Sequence, residues 1–210
     1  MRDLIKILTE TYGPSGHEDK VRSLIIDLIK PYADHISVDK LGNIIAIKGD
    51  TGEKLMLAAH MDEIGVIVTD IDKNGFLRFS NVGGVSPYQI LGERVEFEDG
   101  TIGTVGMEKL EDMKDLKLNK MFIDIGASSR EEALKRINIG DMAVYHRQCN
   151  ILDNHIISKA LDDRAGCAVL IKVLQNLKAP KYKTFFVFTV QEEVGLRGAR
   201  TSSYGIEPDL

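Results

Sequence analysis

The chain has 210 residues, of which 43% are hydrophobic and 28% are charged, an ordinary composition for a globular protein. Its formal net charge of −5 argues against a nucleic-acid-binding protein, because such proteins usually carry a basic face. No stretch approaches the roughly 20 apolar residues of a membrane span, and the N-terminal segment lacks the apolar core of a secretory signal, so we expect a cytoplasmic protein.

Helices and strands are both predicted in the first 65 residues. Apolar residues at helical spacing predict two helices, over 2–11 and 18–32, and the glycines and proline of 12–16 predict a turn between them. Three strands are predicted next, and the last is a nearly all-apolar run typical of a buried central strand. These strands cover 36–39, 44–48 and 55–59.

Residues 66–155 have the pattern of a small, mainly β domain. Short stretches with alternating apolar residues are separated by turn signals, and Asp99-Gly100 between two such stretches predicts a hairpin. One short helix is predicted over 129–137, with Ser128 or Ser129 as its N-cap. We therefore expect a β-rich domain inserted over 66–155.

A helix and a strand are predicted again after residue 156. Residues 163–177 predict a helix that begins with small side chains, and 184–190 predict a continuous apolar strand. A helix followed by a long apolar strand is half of a βαβ unit. The sequence therefore predicts an α/β domain formed by 1–65 and 156–210.

A histidine and an aspartate lie at the end of the predicted strand 55–59. Ligands bind in open α/β sheets at such strand ends. His60 and Asp62 are two positions apart, so both side chains can lie on one face of an extended chain. His60 can then bind a metal while Asp62 accepts its other N–H. The alternative is a hydrogen-bonded histidine beside two solvated acids.

Two aspartates open the helix predicted after residue 162. Asp162 and Asp163 precede an apolar run of small residues, where the commonest role of an aspartate is to cap the helix. The other possibility is that one of them points at a metal. Both roles can hold at once, one for each aspartate.

Two adjacent glutamates follow the most apolar strand of the chain. A charge beside such a strand is costly unless it is paired or bound to a metal. Glu192 and Glu193 point in different directions, so one can ligate a metal while the other holds a water as general base. The alternative is a pair of exposed loop acids. Together with His60, these carboxylates form a donor set that suits Zn²⁺, Co²⁺ or Mn²⁺.

The three motifs resemble those of a known family. AAHMDEIG at 58–65, KALDDRAGC at 159–167 and VQEEVGLRGA at 190–199 resemble the motifs of the tetrahedral aminopeptidases, in the same order and with an insert between the first two. This family includes glutamyl and deblocking aminopeptidases, and some members carry the label endoglucanase. The resemblance covers essentially all 210 residues. It implies a three-layer αβα metallopeptidase catalytic domain with an inserted small β-barrel-like domain.

The resemblance also implies a role for each motif residue. His60 is a ligand of one of two divalent ions (Zn²⁺ or Co²⁺), Asp162 bridges both ions, and Glu193 is a ligand of the second. Asp62 and Glu192 are the catalytic residues: Asp62 lies behind His60, and Glu192 is the general base. The implied reaction removes N-terminal residues from peptides that have a free N-terminus. The inserted domain is implied to mediate contacts that join dimers into large assemblies.

The sequence departs from the family on its C-terminal side. The family completes its site with an aspartate a short way beyond the position of Glu193 and with a histidine near its C-terminus. After Glu193 the only acids are Glu207 and Asp209, and no histidine follows His155. We therefore expect a C-terminally truncated chain that lacks two metal ligands, derived from an active full-length protein.

Three other functions remain open at this point. In a polysaccharide hydrolase, Glu192 and Glu193 would be an acid/base pair, although glycosidase carboxylates face each other across roughly 5–10 Å. A metal-dependent deacylase or dipeptidase would use the same ions on a different substrate. A non-enzymatic chain would only assemble with, or compete with, a full-length partner.

Overall fold

The computed structural model describes residues 1–210, which form two compact units. The first contains Met1–Glu63 and Gln148–Leu210, and the second contains Ile64–Arg147. The second boundary lies earlier than the predicted 155/156. Residues that follow Arg147 join the first unit because they contact its N-terminal helix: the Cys149 amide donates to Glu10 Oε1 at 2.9 Å.

The helices and strands are numbered along the chain. The α-helices are α1 (Arg2–Glu10), α2 (Asp19–Ile29), α3 (Pro87–Ile90), α4 (Arg130–Ala133), α5 (Leu161–Asn176) and α6 (Arg197–Ile206). The strands are β1 (His35–Val38), β2 (Ile44–Lys48), β3 (Lys54–His60), β4 (Gly65–Ile71), β5 (Leu77–Val82), β6 (Arg94–Phe97), β7 (Ile102–Met107), β8 (Met121–Asp124), β9 (Met142–Tyr145), β10 (Asn150–Leu152), β11 (His155–Ile157) and β12 (Lys183–Thr189).

The first unit is built on a four-stranded sheet with the order β1-β2-β12-β3. β12 is antiparallel to β2 and parallel to β3, and its last residue, Thr189, pairs with His60. The parallel strands β3 and β12 therefore end side by side. Both were predicted from their apolar runs, to within one residue at each end. The predicted central position of 55–59 is wrong for this sheet, because β3 pairs with β12 alone and lies at its edge.

Helices cover both faces of this sheet. Phe186 and Phe188 of β12 lie in a core cluster with residues of α1, α2 and α5, whereas Phe185 and Val187 pack with Ile206 of α6 on the opposite face. Alternate residues of a strand point to opposite faces, so a strand buried on both sides is apolar throughout. The predicted three-layer αβα architecture is confirmed.

The predicted turn between α1 and α2 lies against the end of β3. The Glu63 amide donates to the Gly13 carbonyl at 3.0 Å, and the Ser15 amide donates to the Glu63 carbonyl at 3.3 Å. Gly13 is needed for this close approach, because a Cβ there would lie 2.7 Å from Val21 Cγ1. The turn therefore brings Ser15 beside the residues that follow His60.

The second unit is a closed six-stranded barrel with the order β4-β5-β8-β7-β6-β9. Its core is a single cluster of buried side chains, including Val66, Phe79, Val95 and Ile123. The predicted Ser129 cap is present, since its hydroxyl accepts the Glu132 amide at 3.2 Å, although the helix it begins is shorter than predicted. In neither unit is any helix long and apolar enough to cross a membrane.

Candidate metal centre

The predicted site residues of the three motifs meet at the carboxyl ends of β3 and β12 and at the start of α5. His60 is the last residue of β3, and Glu192 and Glu193 lie in the loop after β12. Asp162 lies in the first turn of α5. All of them belong to the first unit.

The two ring nitrogens of His60 have different surroundings. Nδ1 lies 3.2 Å from the Asp62 carbonyl oxygen and 3.4 Å from Asp62 Oδ1. Nε2 lies 3.0 Å from Asp162 Oδ1 and 3.8 Å from Glu192 Oε2. Nδ1 is therefore anchored to the protein, while Nε2 faces the acids of the site.

The charge state of His60 depends on these acids. Burial lowers its pKa, but the hydrogen bond and charge of Asp62, followed by Asp162 and Glu192, outweigh that effect. The net result is a pKa raised from 6.5 to about 9. Without an ion, the imidazole thus serves as the cation of an acidic cluster.

Asp62 is completely buried and holds several neighbours at once. It accepts the Ser15 hydroxyl, the Glu192 amide at 3.0 Å and the Glu193 amide at 3.1 Å. Burial raises the pKa of Asp62, but the hydrogen bonds of His60, Ser15 and the two amides outweigh it and keep the pKa below 3.8. Since Asp62 has no exposed surface, its contacts are those of a residue that positions others.

The two aspartates of the second motif have separate roles. Asp163 Oδ1 accepts the Gly166 amide at 3.0 Å, which is a helix-capping bond. The Asp162 side chain is 89% exposed, and its Oδ1 lies against His60 Nε2. The peptide bond between the aspartates is cis. One aspartate therefore caps the helix while the other faces the site.

Glu192 and Glu193 are half-buried and lie close to His60. One donor atom from each of the three residues lies within 4.8 Å of the other two. Burial raises the pKa of Glu193; the charge of His60 opposes this shift, and the charges of Asp62, Asp162 and Glu192 add to it. The acids of the cluster thus repel one another and would be stabilised by a cation.

This donor set fits a divalent metal ion. Atoms bound to one ion at about 2.0–2.2 Å lie at most about 4.4 Å apart, so the observed group needs only small side-chain rotations. One imidazole and several carboxylates are ligands that Zn²⁺ and similar ions accept. Asp162 lies outside the compact group of three but within 3.0 Å of its histidine. None of the other four histidines belongs to a group of this kind.

Several supporting residues were not predicted from the sequence. Glu63 is buried and accepts Lys159 Nζ at 2.8 and 2.7 Å, which joins the first motif to the second. Arg164 is fully buried and donates to backbone carbonyls of α1 and of the turn that follows it, including that of Thr11 at 3.1 Å. Glu18 and Asn43 contact the loop after β12. Glu63, Lys159 and Arg164 lie within the motifs, whereas Glu18 and Asn43 lie outside all three and carried no sequence signal.

Comparisons with known proteins identify a family and several relatives. The family model of the M42 glutamyl aminopeptidases matches residues 42–210. A protein of Acetivibrio thermocellus is 56% identical over 211 residues, which span 100% of this chain and 64% of that protein. Lysyl aminopeptidase of Pyrococcus furiosus is 35% identical over 221 residues, which span 99% of this chain and 64% of that enzyme.

Solved structures are also similar. An aminopeptidase of the archaeon Desulfurococcus kamchatkensis has a TM-score of 0.94 and 42% identity over 100% of this chain and 61% of its own. The TET1 peptidase of Pyrococcus horikoshii, described as assembling into a tetrahedron or a large octahedral shell, has a TM-score of 0.91 and 37% identity over 98% of this chain and 66% of its own. A Thermotoga maritima structure described as an endoglucanase has a TM-score of 0.86 and 38% identity over 97% of this chain and 62% of its own.

The chain thus spans about 64% of the length of the first relatives it matches. The family match covers well over half of its residues and includes all three motifs. The likeness to solved structures extends over both units. On this evidence the chain belongs to the M42 glutamyl aminopeptidase family.

Proposed function

We propose that this chain carries the catalytic site of a metal-dependent aminopeptidase, which removes N-terminal residues from peptides. The observation that supports it most directly is the group formed by His60, Glu192 and Glu193, whose donor atoms lie within 4.8 Å of one another at the ends of two parallel strands.

His60, Asp162 and Glu193 are the proposed ligands. In a protein of the relatives' full length, we propose two divalent ions per subunit, Zn²⁺ or Co²⁺, which these three residues would help to hold. A bound ion of this type polarises a carbonyl and lowers the pKa of a water molecule. The raised pKa of Glu193 and the position of Asp162 against His60 Nε2 support this assignment, because a cation relieves the repulsion among these groups.

Glu192 is the proposed general base. Its Oε2 lies 3.8 Å from His60 Nε2, so its carboxylate faces the same space as the ligands, and it stays accessible to a substrate. Glu192 accepts a proton from the attacking water and delivers it to the nitrogen of the leaving amine. Asp62 does not reach the substrate in this proposal. It fixes the imidazole through Nδ1 and holds the backbone of both glutamates.

Metal binding and substrate choice test the proposal together. The chelator-stripped chain should bind Zn²⁺ or Co²⁺ in calorimetry, and His60→Ala should weaken binding strongly. A metal-loaded protein of the relatives' full length that contains this chain should release the first residue of free-amine peptides and spare their N-acetylated counterparts. A chain that binds neither ion, or hydrolysis that survives chelation, would contradict the proposal.

A polysaccharide hydrolase is the second candidate, because a similar structure is described as an endoglucanase. The geometry disfavours it. The donor oxygens of Glu192 and Glu193 lie within 4.8 Å of each other and of His60, whereas glycosidase carboxylates flank a sugar bond at roughly 5–10 Å. Cleavage of a soluble cellulose derivative in the presence of chelator would favour this candidate. Cleavage of N-acylated amino acids would favour a deacylase instead.

Self-association is the proposed partner interaction, through the barrel unit Ile64–Arg147. A similar peptidase is described as assembling into closed shells, which supports this proposal. Light scattering on the purified chain should give a mass above that of one chain. If the chain assembles and binds metal but hydrolyses no peptide, the non-enzymatic alternative gains support.

The expected cytoplasmic location stays a prediction.

A further inference from the structure

Four consecutive backbone amides after β12 donate to side chains and not to other backbone groups. The Val190 amide donates to Asn43 Oδ1 at 3.0 Å, and the Gln191 amide donates to Glu18 Oε1 at 3.2 Å. The next two amides, of Glu192 and Glu193, donate to the two oxygens of Asp62. The acceptors come from three separate segments of the chain.

The carbonyls of the same loop are bonded differently. Those of Val190, Gln191 and Glu192 accept the backbone amides of residues 195–198, at 2.9–3.3 Å. Buried amides need hydrogen-bond partners. In this loop, backbone groups pair with the carbonyls but not with the four amides. The path of the loop is therefore set by the side chains that accept its four amides.

These three acceptor side chains are buried: Asn43 and Asp62 have no exposed surface, and Glu18 is 2% exposed. Asn43 is fixed in turn, since its Nδ2 donates to Asp39 Oδ2 at 2.6 Å and to the Gly198 carbonyl at 3.1 Å. Glu18 also accepts the Gly16 amide at 2.7 Å. Acceptors that are themselves held have little freedom to follow the loop if it moves.

The loop needs such a restraint because its second residue has an unfavourable conformation. Gln191 has a φ of 55°, in the left-handed region that non-glycine residues rarely adopt. Its amide is the one that donates to Glu18. The backbone turn at Gln191 sets the direction of Glu192 and Glu193. The hydrogen bond from the Gln191 amide to Glu18 therefore helps to orient their carboxylates.

We propose that Glu18 and Asn43 are positioning residues of the metal centre, acting with Asp62 as an amide cradle that holds Glu192 and Glu193 facing His60. The proposal rests on the proposed function, because it assigns these residues to the metal site. Glu18 lies outside the residues matched by the family model, which begin at 42. The turn at 12–16 thereby gains a role, since Ser15 and Gly16 contact two members of the cradle.

Two substitutions of Glu18 distinguish the loss of its accepting oxygen from the loss of its charge. Glu18→Gln keeps an oxygen in place for the two amides, and Glu18→Ala removes it. The matched control is Asp72→Ala in the barrel unit, because Asp72 Oδ1 also accepts two backbone amides, those of Asn74 at 2.8 Å and Phe76 at 3.1 Å. The control loses the same kind of bond outside the site.

The first measurement is hydrogen–deuterium exchange of metal-free protein over 190–194. The loss of one amide bond of ordinary strength corresponds to about a tenfold change in the opening equilibrium. We expect Glu18→Ala to raise exchange there about tenfold, with Glu18→Gln and Asp72→Ala near wild type. Unchanged exchange in Glu18→Ala would overturn the cradle whether or not the chain binds metal.

The second measurement is Co²⁺ affinity and the visible spectrum of the bound ion. A supporting residue of a metal site typically contributes 10–100-fold in affinity, so we expect at least about a tenfold loss in Glu18→Ala, with an altered spectrum. Glu18→Gln should restore both. Equal losses in Glu18→Ala and Asp72→Ala would overturn the positioning role. A wild-type chain that binds no Co²⁺ would instead contradict the proposed function, and the exchange result would still decide on the cradle.

Discussion

The backbone amide of Glu192 donates to Asp62 Oδ1 at 3.0 Å, although 130 positions separate the two residues. The same carboxylate lies 3.4 Å from His60 Nδ1. A single buried aspartate therefore connects the proposed ligand on β3 with the proposed base after β12. The negative charge of Asp62 is stabilised by the Ser15 hydroxyl, by the amides of Glu192 and Glu193 and by His60.

Replacement of Asp62 by asparagine should disturb both sides of this connection. The new amide group places a donor against the amide of Glu192 or Glu193. We expect a loss of about 1–3 kcal/mol in the free energy of unfolding and roughly 10–100-fold weaker Co²⁺ binding. Chemical denaturation and calorimetry measure the two effects. Asp99→Asn, in an exposed barrel hairpin, is the control, and equal effects in both variants would contradict the assignment.

Glu192→Gln should abolish peptide hydrolysis while leaving metal content nearly intact. The substitution removes the proton acceptor but keeps an oxygen close to the His60 group. General-base catalysis typically contributes about 10²–10⁴-fold, so turnover should fall by at least about 100-fold. Bound metal is measured by elemental analysis beside the assay. Wild-type rates in this variant would show that the base lies elsewhere.

Metal binding should release protons at neutral pH. The pKa of His60 is raised from 6.5 to about 9, so its protonated form contributes stability that is fully present below pH 6.5 and lost as the pH rises through about 9. An ion requires the neutral ring, so apparent affinity should increase with pH up to about 9. Calorimetry in two buffers of different ionisation enthalpy measures the released protons. Binding without proton release at pH 7.5 would contradict this prediction.

Lys159→Met should destabilise the protein by leaving Glu63 buried without its main partner. Nζ lies 2.7 Å from Glu63 Oε2, and both side chains are almost fully buried, at 6% and 3% exposure. Removal of one partner from a buried pair typically costs about 3–5 kcal/mol. The double variant with Glu63→Gln should recover part of the loss. Lys6→Met, in a solvent-exposed pair with Glu10, should change the free energy of unfolding little.

Two glycines of α6 should respond oppositely to alanine. A Cβ at Gly198 would lie 2.2 Å from Asn43 Oδ1 and 2.5 Å from the Val190 carbonyl, whereas a Cβ at Gly205 meets nothing within 4 Å. Gly198→Ala should therefore cost about 1–3 kcal/mol and weaken Co²⁺ binding. Gly205→Ala should gain about 0.5–1 kcal/mol from helix propensity. Thermal unfolding of both variants measures the contrast, and similar values for the two would contradict it.

Much of the fold followed from local patterns. The runs 55–59 and 184–190 predicted β3 and β12. β12 is buried on both faces, so it must be apolar throughout, whereas β3 is an edge strand that is buried only at its carboxyl end. The first residues after those strands carried the candidate ligands, because polar groups near a buried strand need partners. The boundary near 147 was missed, since the contact of Cys149 with Glu10 spans 139 positions.

From the sequence alone we predicted most of the helices and strands, the α/β architecture with an insert and the candidate metal-binding residues, whereas α6 was not predicted. These predictions depend on patterns of neighbouring residues along the chain. The structure shows that Asp163 caps α5 while Asp162 faces His60, and that Glu18, Asn43 and Asp62 accept the amides of one loop. Those relationships join residues that are distant in the chain, and no local pattern specifies them because packing of the sheet and helices brings them together.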